Sequence, residues 1–329
     1  MVDTFPSAPT VTIGLPVYNG EAYLTEALES LVSQSFADIE FIISDNASTD
    51  GTRDICESFT RKDSRIRYDR LDENVGAAGN YNRLLPMAKG RYFKWAAHDD
   101  NCDPDFIAAC VSALEANMDA VLCYPSTRVI DGEGALITKY RDGLNLPQTT
   151  PDARLTAYLR GNFLRERGMC NPIFGLIRTD ALRKTHLIQD FLASDRSLLG
   201  HLALLGQFIE LPEHLFERRV HRGISTMADT RFAARMAWFN TSARPRKKTT
   251  FNNHLALRFT HIKDYFRAIS TLVETENDRR ACRSRLAMLL LSDPRWLAKD
   301  IRFSLGFQPS SAQIMRKLEA LNETQTHHS

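Results

Sequence analysis

Asp99 and Asp100 close the segment GRYFKWAAHDDNCDPD (residues 90–105), where an apolar run stops at two adjacent carboxylates. Hard oxygen ligands of this kind suit a divalent cation whose remaining positions stay open for phosphate and water. A blander use competes with ligation, because an Asp pair ahead of a helix also makes an N-cap and a solvated turn. Asp103 followed by Pro104 already reads as that cap, with proline at the first helical position, which leaves Asp99 and Asp100 unexplained. Asp195, in ASDRSLL, is the second acidic candidate. It opens a leucine-bearing helix, where capping and general-base chemistry are both available to a carboxylate.

The elements that must position these acids alternate in type. Tyr92, Phe93, Trp95, Ala96 and Ala97 form the kind of strand that is covered on both faces. Upstream, Val11–Pro16 and IEFIIS (39–44) read as buried strands, and Ile66–Leu71 as a third. Leu24, Ala27, Leu28, Leu31 and Val32 recur at helical spacing, and 52–59 and 77–88 also read as helices. Strand–helix alternation of this kind predicts an α/β fold with a parallel, doubly wound sheet. Such a sheet gathers the carboxyl ends of its strands along one edge. Tyr18-Asn19, the polar run Asp45–Thr52 and Asp99-Asp100 then line one crevice, a geometry suited to nucleotides. No GxGxxG follows the first strand and no GxxxxGK[ST] occurs, which argues against a dinucleotide dehydrogenase and a P-loop phosphotransferase.

Composition narrows the class further. The chain has 329 residues, 43% hydrophobic and 25% charged, enough for one large domain and a smaller one of ordinary globular character. No leader-like start and no long apolar run are read, and the six cysteines lack ligand-like spacing, so a reduced, cytoplasmic setting is expected. Charge is unevenly divided: residues 231–305 hold 16 Lys/Arg against 6 Asp/Glu in a chain whose net charge is +2. In that region Phe259, Ile262, Phe266, Ile269 and Val273 mark an amphipathic helix. Two uses stay open for it, packing on the catalytic core or docking on an anionic bilayer. A nucleic-acid partner is not expected, since no recognised binding motif accompanies the charge.

LPVYNGEAYLTEALESLVSQSF, IEFIISDNASTDGT and NVGAAGNYNRLLPMAKGRYFKWAAHDD occur in this order, and together they resemble the donor half of the family 2 glycosyltransferases. The resemblance spans about Val11 to Thr226 and implies a GT-A fold, a nucleotide-sugar donor, a divalent metal (Mn2+ or Mg2+) on its diphosphate, and inversion at the anomeric carbon. It implies that Asp45 accepts a hydrogen bond from a pyrimidine imide N–H, that Pro16, Tyr18 and Asn19 frame base and ribose, and that Asn80 lies among the donor-binding residues. Turn-forming duty is the competing use of Asp45, and helix capping is the use expected of Asp50. Asp99 matches the metal-binding carboxylate with Asp100 beside it, but Ala97 stands where the family's Asp-x-Asp pattern has its first acid. His98 is a possible substitute ligand. Asp195 matches the catalytic base, with Ser194 replacing the Glu that usually precedes it. His221 is implied to reach the diphosphate or the metal. Arg218 or Arg219 suits bidentate phosphate binding, and each serves a surface ion pair equally well.

In the second half, 120–125 and 127–130 read as two strands, 144–151 as a mobile loop over the site, 152–163 as a helix, and 170–178 as a strand under the acceptor. Gly175 there serves either close approach of a sugar or plain strand packing. The expected organisation is a GT-A catalytic domain over 1–226 and a basic, mainly helical region over 227–329. The expected activity is transfer from a UDP- or dTDP-sugar to a hydroxyl of a glycan or lipid-linked acceptor in surface polysaccharide synthesis. A catalytically impaired module that binds nucleotide or glycan is the alternative raised by Ala97 and Ser194.

Overall fold

The computed structural model describes residues 8–163, 170–221 and 253–292. The first half runs β1 (Val11–Val17), α1 (Leu24–Val32), β2 (Ile39–Asp45), α2 (Thr52–Lys62), β3 (Ile66–Arg70), α3 (Gly76–Asn82), α4 (Leu84–Met87) and β4 (Tyr92–Trp95). Then follow β5 (Asn101–Cys102), α5 (Phe106–Ala116), β6 (Ala120–Ile130), β7 (Leu136–Tyr140), α6 (Pro151–Tyr158), β8 (Leu176–Arg178), α7 (Thr179–Lys184), α8 (Ser194–Leu205) and β9 (Gln207–Arg219). Two more helices, α9 (Asn253–Leu272) and α10 (Glu276–Ser292), come last.

The strands form one sheet in the order β3-β2-β1-β4-β8-β6-β9-β5, with β7 paired to β6. Strands β3, β2, β1 and β4 are parallel, as the alternation predicts; β8 then enters antiparallel to β4 and β6. Helices α1, α2 and α5 cover one face through Leu24, Leu28, Cys56, Phe59, Phe106 and Ile107. The other face carries α3, α4, α6, α8, α9 and α10 through residues such as Leu84, Leu155, Leu198, Tyr265 and Leu286. This is the expected mixed α/β architecture, with a largely parallel sheet between helical layers.

Several local expectations are corrected. The strands foreseen at 120–125 and 127–130 are one strand, β6, which runs through Pro125 because the register with β9 shifts around that residue. Residues 77–88 break into α3 and α4 at Arg83. The helix foreseen over 152–163 is α6 continued by a turn of π-helix at Leu159–Phe163. The segment foreseen as a strand over 170–178 opens with a 3-10 turn at Asn171–Phe174 and becomes strand only at Leu176. A Cβ on Gly175 would lie 2.7 Å from the carbonyl oxygen of Cys123 and 2.9 Å from Cβ of Tyr124, so this glycine serves packing against β6. Helix α5 starts after Asp105, two residues beyond the foreseen cap.

The 144–151 segment is not a free cover. Leu144 and Leu146 are buried in the core, and Leu146 exchanges both backbone hydrogen bonds with Phe208 at 3.0 and 3.2 Å. The apolar pattern of α9 finds part of its buried face, since Ile269 and Val273 are buried and Ile262 and Phe266 pack against the core. Phe259 is half exposed, while Arg258, His261, Asp264, Tyr265 and Ala268 are buried. Polar partners on α8 explain the shift, because Ser197 and His201 reach His261 and Asp264 and lower the cost of burying them. Within 253–292 the helices therefore pack on the core, and the rest of 231–305, with the proposed domain boundary at 226, lies outside the described residues. No helix of the described residues is long and apolar enough to cross a membrane.

Candidate functional site

Register brings the candidate residues together. Val17 pairs with Asp45, and Gly14 pairs with Trp95, with Ala96 donating its N–H to the Gly14 carbonyl as the chain leaves the strand. The ends of β2, β1 and β4 are neighbours, so the strand end that carries Asp45 and the one that leads to the Asp99 turn are two strand positions apart, about 10 Å.

The β1–β2 side is a set of interlocking turns. Asn19, at φ 51°, donates its N–H to Ser48 Oγ and accepts from the Thr49 N–H through its side chain. Asp50 accepts the Glu21 and Thr52 N–H groups, which ties it to the start of α2 as its capping assignment requires. Asn80 is buried and donates to the Ser44 carbonyl at 3.0 Å, so it clamps the strand ends. Pro16 is buried within β1 opposite Ser44 and supports the crevice without lining it. Tyr18 projects outward, 43% exposed. Asp45 is 0% exposed: one oxygen accepts the Ser48 N–H at 2.8 Å, the other the Tyr68 hydroxyl at 2.7 Å, and Arg70 Nε stands 3.5 Å away.

The β4 side holds the acids. Asp99 Oδ2 lies 3.1 Å from His221 Nε2. Burial raises its pKa, but the His221 hydrogen bond and the charges of His98 and Arg218 outweigh burial and hold it below the usual carboxylate range. Asp100 accepts the Arg219 N–H at 2.9 Å, and burial with the Asp99 charge pushes it up to about 7. The two acids thus resist carrying two charges unless a cation is supplied. Asp99 and His221 offer a hard oxygen and an imidazole nitrogen at one point, which fits a divalent cation held by two side chains and completed by diphosphate and water. His98 instead packs its ring against Gly20 and Val17.

Arg219 corrects an expectation. It is 2% exposed, and its guanidinium donates to the carbonyls of Asp99, Asp131 and Gly132 at 3.1 to 3.4 Å, lies 2.6 Å from Glu26 and covers the Tyr23 ring at 4.9 Å. It is a buried clamp, and neither a phosphate ligand nor a surface ion pair. Neighbouring strand residues face opposite sides, so Arg218 is the arginine turned toward the acids. Its charge lowers the pKa of both Asp99 and Asp100, and its Nη1 donates to Asn171 Oδ1 at 3.0 Å.

Asp195 sits in the first turn of α8, where Ala193 in the left-handed region provides no side-chain cap. Its carboxylate accepts the Arg196 N–H at 2.9 Å and the Cys170 thiol. Leu198, Leu199 and Leu202 are fully buried beneath it, roughly 1.5–3 kcal/mol each, so the helix holds Asp195 firmly. The Tyr81 phenol, pushed well above its ordinary range by burial, also feels Asp99, Asp100 and Asp195. The two acidic groups therefore both lie within electrostatic reach of Tyr81. Tyr81, Asn171 and Cys170 were missed by sequence reasoning because nothing local marks them. Lys94 was legible, a lone cation in YFKW; it is fully buried between the Phe106 and Phe216 rings, donates to the Phe174 carbonyl, and lowers the pKa of Asp100.

The sequence matches the family model "Glycosyl transferase family 2" over residues 12–191. The chain belongs to this family. Its fold is GT-A. Among its relatives, the putative teichuronic acid biosynthesis glycosyltransferase TuaG of Bacillus subtilis is 40% identical over 97 residues, 30% of this chain and 38% of TuaG. A chondroitin synthase of Escherichia coli is 30% identical over 145 residues, 44% of this chain and 20% of the synthase. The chain thus spans well under half the length of these two relatives. Of solved structures, Staphylococcus aureus TarS 1-349 in complex with UDP-GlcNAc superimposes with TM-score 0.61 at 18% identity, covering 91% of this chain and 76% of that one. The mannosyltransferase PcManGT of Pyrobaculum calidifontis, in complex with GDP-Man and Mn2+, gives 0.52 at 16% identity over 96% and 81%. At these identities the likeness carries the fold alone.

Proposed function

We propose that this family 2 enzyme moves a sugar from UDP or dTDP to a hydroxyl of a glycan or lipid-linked acceptor, with inversion, in surface polysaccharide synthesis. The observation that most supports the reading is that Asp99, Asp100 and Asp195 all act electrostatically on Tyr81, so the diphosphate-side acids and the proposed base lie near one side chain. Asp195 takes the acceptor hydroxyl proton as its oxygen bonds the anomeric carbon, and the anomeric C–O bond breaks with its electrons leaving on the diphosphate. Asp99 and His221 would hold the divalent cation, Mn2+ or Mg2+, whose charge stabilises that leaving group. Arg218 adds a fixed positive charge on the same side.

For the donor base, Asp45 is covered by Ser48, Tyr68 and Arg70, and it accepts an imide N–H where displacement of Arg70 opens the carboxylate to the crevice. Uracil and thymine carry that N–H and cytosine does not. TuaG and the chondroitin synthase are consistent with a polymer product. Peripheral membrane contact through 231–305 rests on charge alone. Calorimetric titration with UDP, dTDP and CDP, manganese present, tests the reading: UDP or dTDP should bind at least tenfold tighter than CDP. Equal affinities would remove Asp45 from base recognition, and no heat from any of them would remove the donor class.

A further inference from the structure

A second cluster of ligating side chains lies away from the donor crevice. His186, in the segment after α7, His201 in α8 and Asp264 in α9 present ligand atoms that all fall within 4.8 Å of one another. His201 Nε2 is 2.8 Å from Asp264 Oδ2 and His186 Nδ1 is 3.1 Å from Asp264 Oδ1. The two imidazoles meet at 4.7 Å between ring centres. His201 is 0% exposed, Asp264 is buried, and the His201 Nδ1 is buried without a hydrogen-bond partner among the described residues.

Thr271 provides an acceptor for one proton of His186. Its Nε2 lies 3.2 Å from Thr271 Oγ1, and that hydroxyl places its own hydrogen on the Arg267 carbonyl at 3.1 Å. The hydroxyl therefore accepts from His186 Nε2–H. In the neutral ring, Nδ1 then carries a lone pair aimed at a carboxylate oxygen 3.1 Å away, two acceptors with nothing between them. A proton on Nδ1, which makes an imidazolium–carboxylate pair, or a bound cation removes the conflict, and zinc titration separates the two. Thr271 is also the kind of outer partner that orients a metal-binding histidine by taking its other N–H.

We infer that His186, His201 and Asp264 form a zinc site joining α9 to the helix that carries Asp195. Two imidazoles and one carboxylate are a zinc donor set, with water as the fourth ligand. His201 stands six residues beyond Asp195 on α8, about 9 Å along the helix, so this ion would brace the base without touching substrate.

The test uses the full chain with Asp99→Ala as background, which disables the donor-side cation position, stripped with chelator and titrated with zinc while zinc content and Tm are followed. The expected result is one tightly bound zinc with a rise in Tm. His186→Ala should lose that zinc and the rise. Thr271→Val keeps all three ligands and should weaken zinc about tenfold. It also keeps the inference testable if His186→Ala fails to fold. Absence of a tight zinc in the Asp99→Ala background would overturn the site, as would undiminished zinc affinity in either added variant.

Discussion

Replacing Asp195 by Asn separates chemistry from scaffolding. The carboxamide keeps an oxygen that can accept the Arg196 N–H, now held at 2.9 Å, and the leucines beneath are untouched. What the folded state loses is one negative charge in the first turn of α8, worth roughly 0.3–1 kcal/mol against the helix dipole. For a domain of this size that is a fall in Tm of about 1–4 °C. The transfer step loses its proton acceptor, worth about 10²–10⁴-fold, or roughly 2.7–5.4 kcal/mol of barrier. Donor affinity should not move, because Asp99, His221 and Asp45 are unchanged. The measurements are single-turnover transfer, calorimetric affinity for the nucleotide, and a thermal melt on the same preparation. Transfer within tenfold of the parent would refute the base assignment. So would an activity loss accompanied by a Tm drop near 10 °C, since the residue would then be structural.

Three further outcomes follow from the geometry. Arg219→Met strands the Asp99, Asp131 and Gly132 carbonyls, while half-exposed Glu26 keeps Asn101, so it should cost about 1–3 kcal/mol of stability, and nucleotide affinity at low temperature stays within a few fold; a selective loss of nucleotide binding would restore it as a phosphate ligand. Asp99→Asn should abolish the manganese dependence of nucleotide binding and leave metal-free binding nearly unchanged, read by titration with and without chelator. His261 is held neutral, its pKa lowered to about 4 by burial and by Arg258, with Ser197 and the Leu192 carbonyl on its two nitrogens. Between pH 6.5 and 4 the unfolded chain takes up a proton there that the folded chain refuses, so stability falls as pH falls, by about 3 kcal/mol in all. Urea midpoints at pH 7 and 5 should converge in His261→Gln, and an unchanged slope would remove His261 as the cause.

The parallel half of the sheet was legible because its strands are apolar on both faces and its helices keep an apolar stripe, so period alone separates IEFIIS from Leu24–Val32. The acids at the strand ends were legible for the same reason, each interrupting an apolar run. The antiparallel half was not. Pro125 reads as a strand end, and only the register shift against β9 lets β6 continue through it. Leu144–Pro151 reads as a loop by its prolines, while its burial comes from Phe208, a partner some 60 residues away. On α9 the apolar residues marked only part of the buried stripe, because the rest of it is polar and its partners lie on α8.

Adjacent residues with the same chemistry take opposite duties in this site, and the backbone decides which. Arg218 and Arg219 follow one another on β9, so the pleat sends one guanidinium toward the acids and the other beneath Tyr23. Asp99 and Asp100 divide in the same way, one turned to His221 and the other to the Arg219 N–H. The clamp and the ligand position are therefore mechanically joined: Arg219 grips the Asp99 carbonyl while its N–H holds Asp100. That coupling offers a physical account of Ala97. Where the family pattern places a further acid, this chain fixes Asp99 through the end of β9, so orientation of one carboxylate stands in for the charge of a second. An Ala97→Asp variant then has little to gain in nucleotide affinity. A large gain in manganese-dependent binding would show that pre-orientation had not replaced the missing ligand.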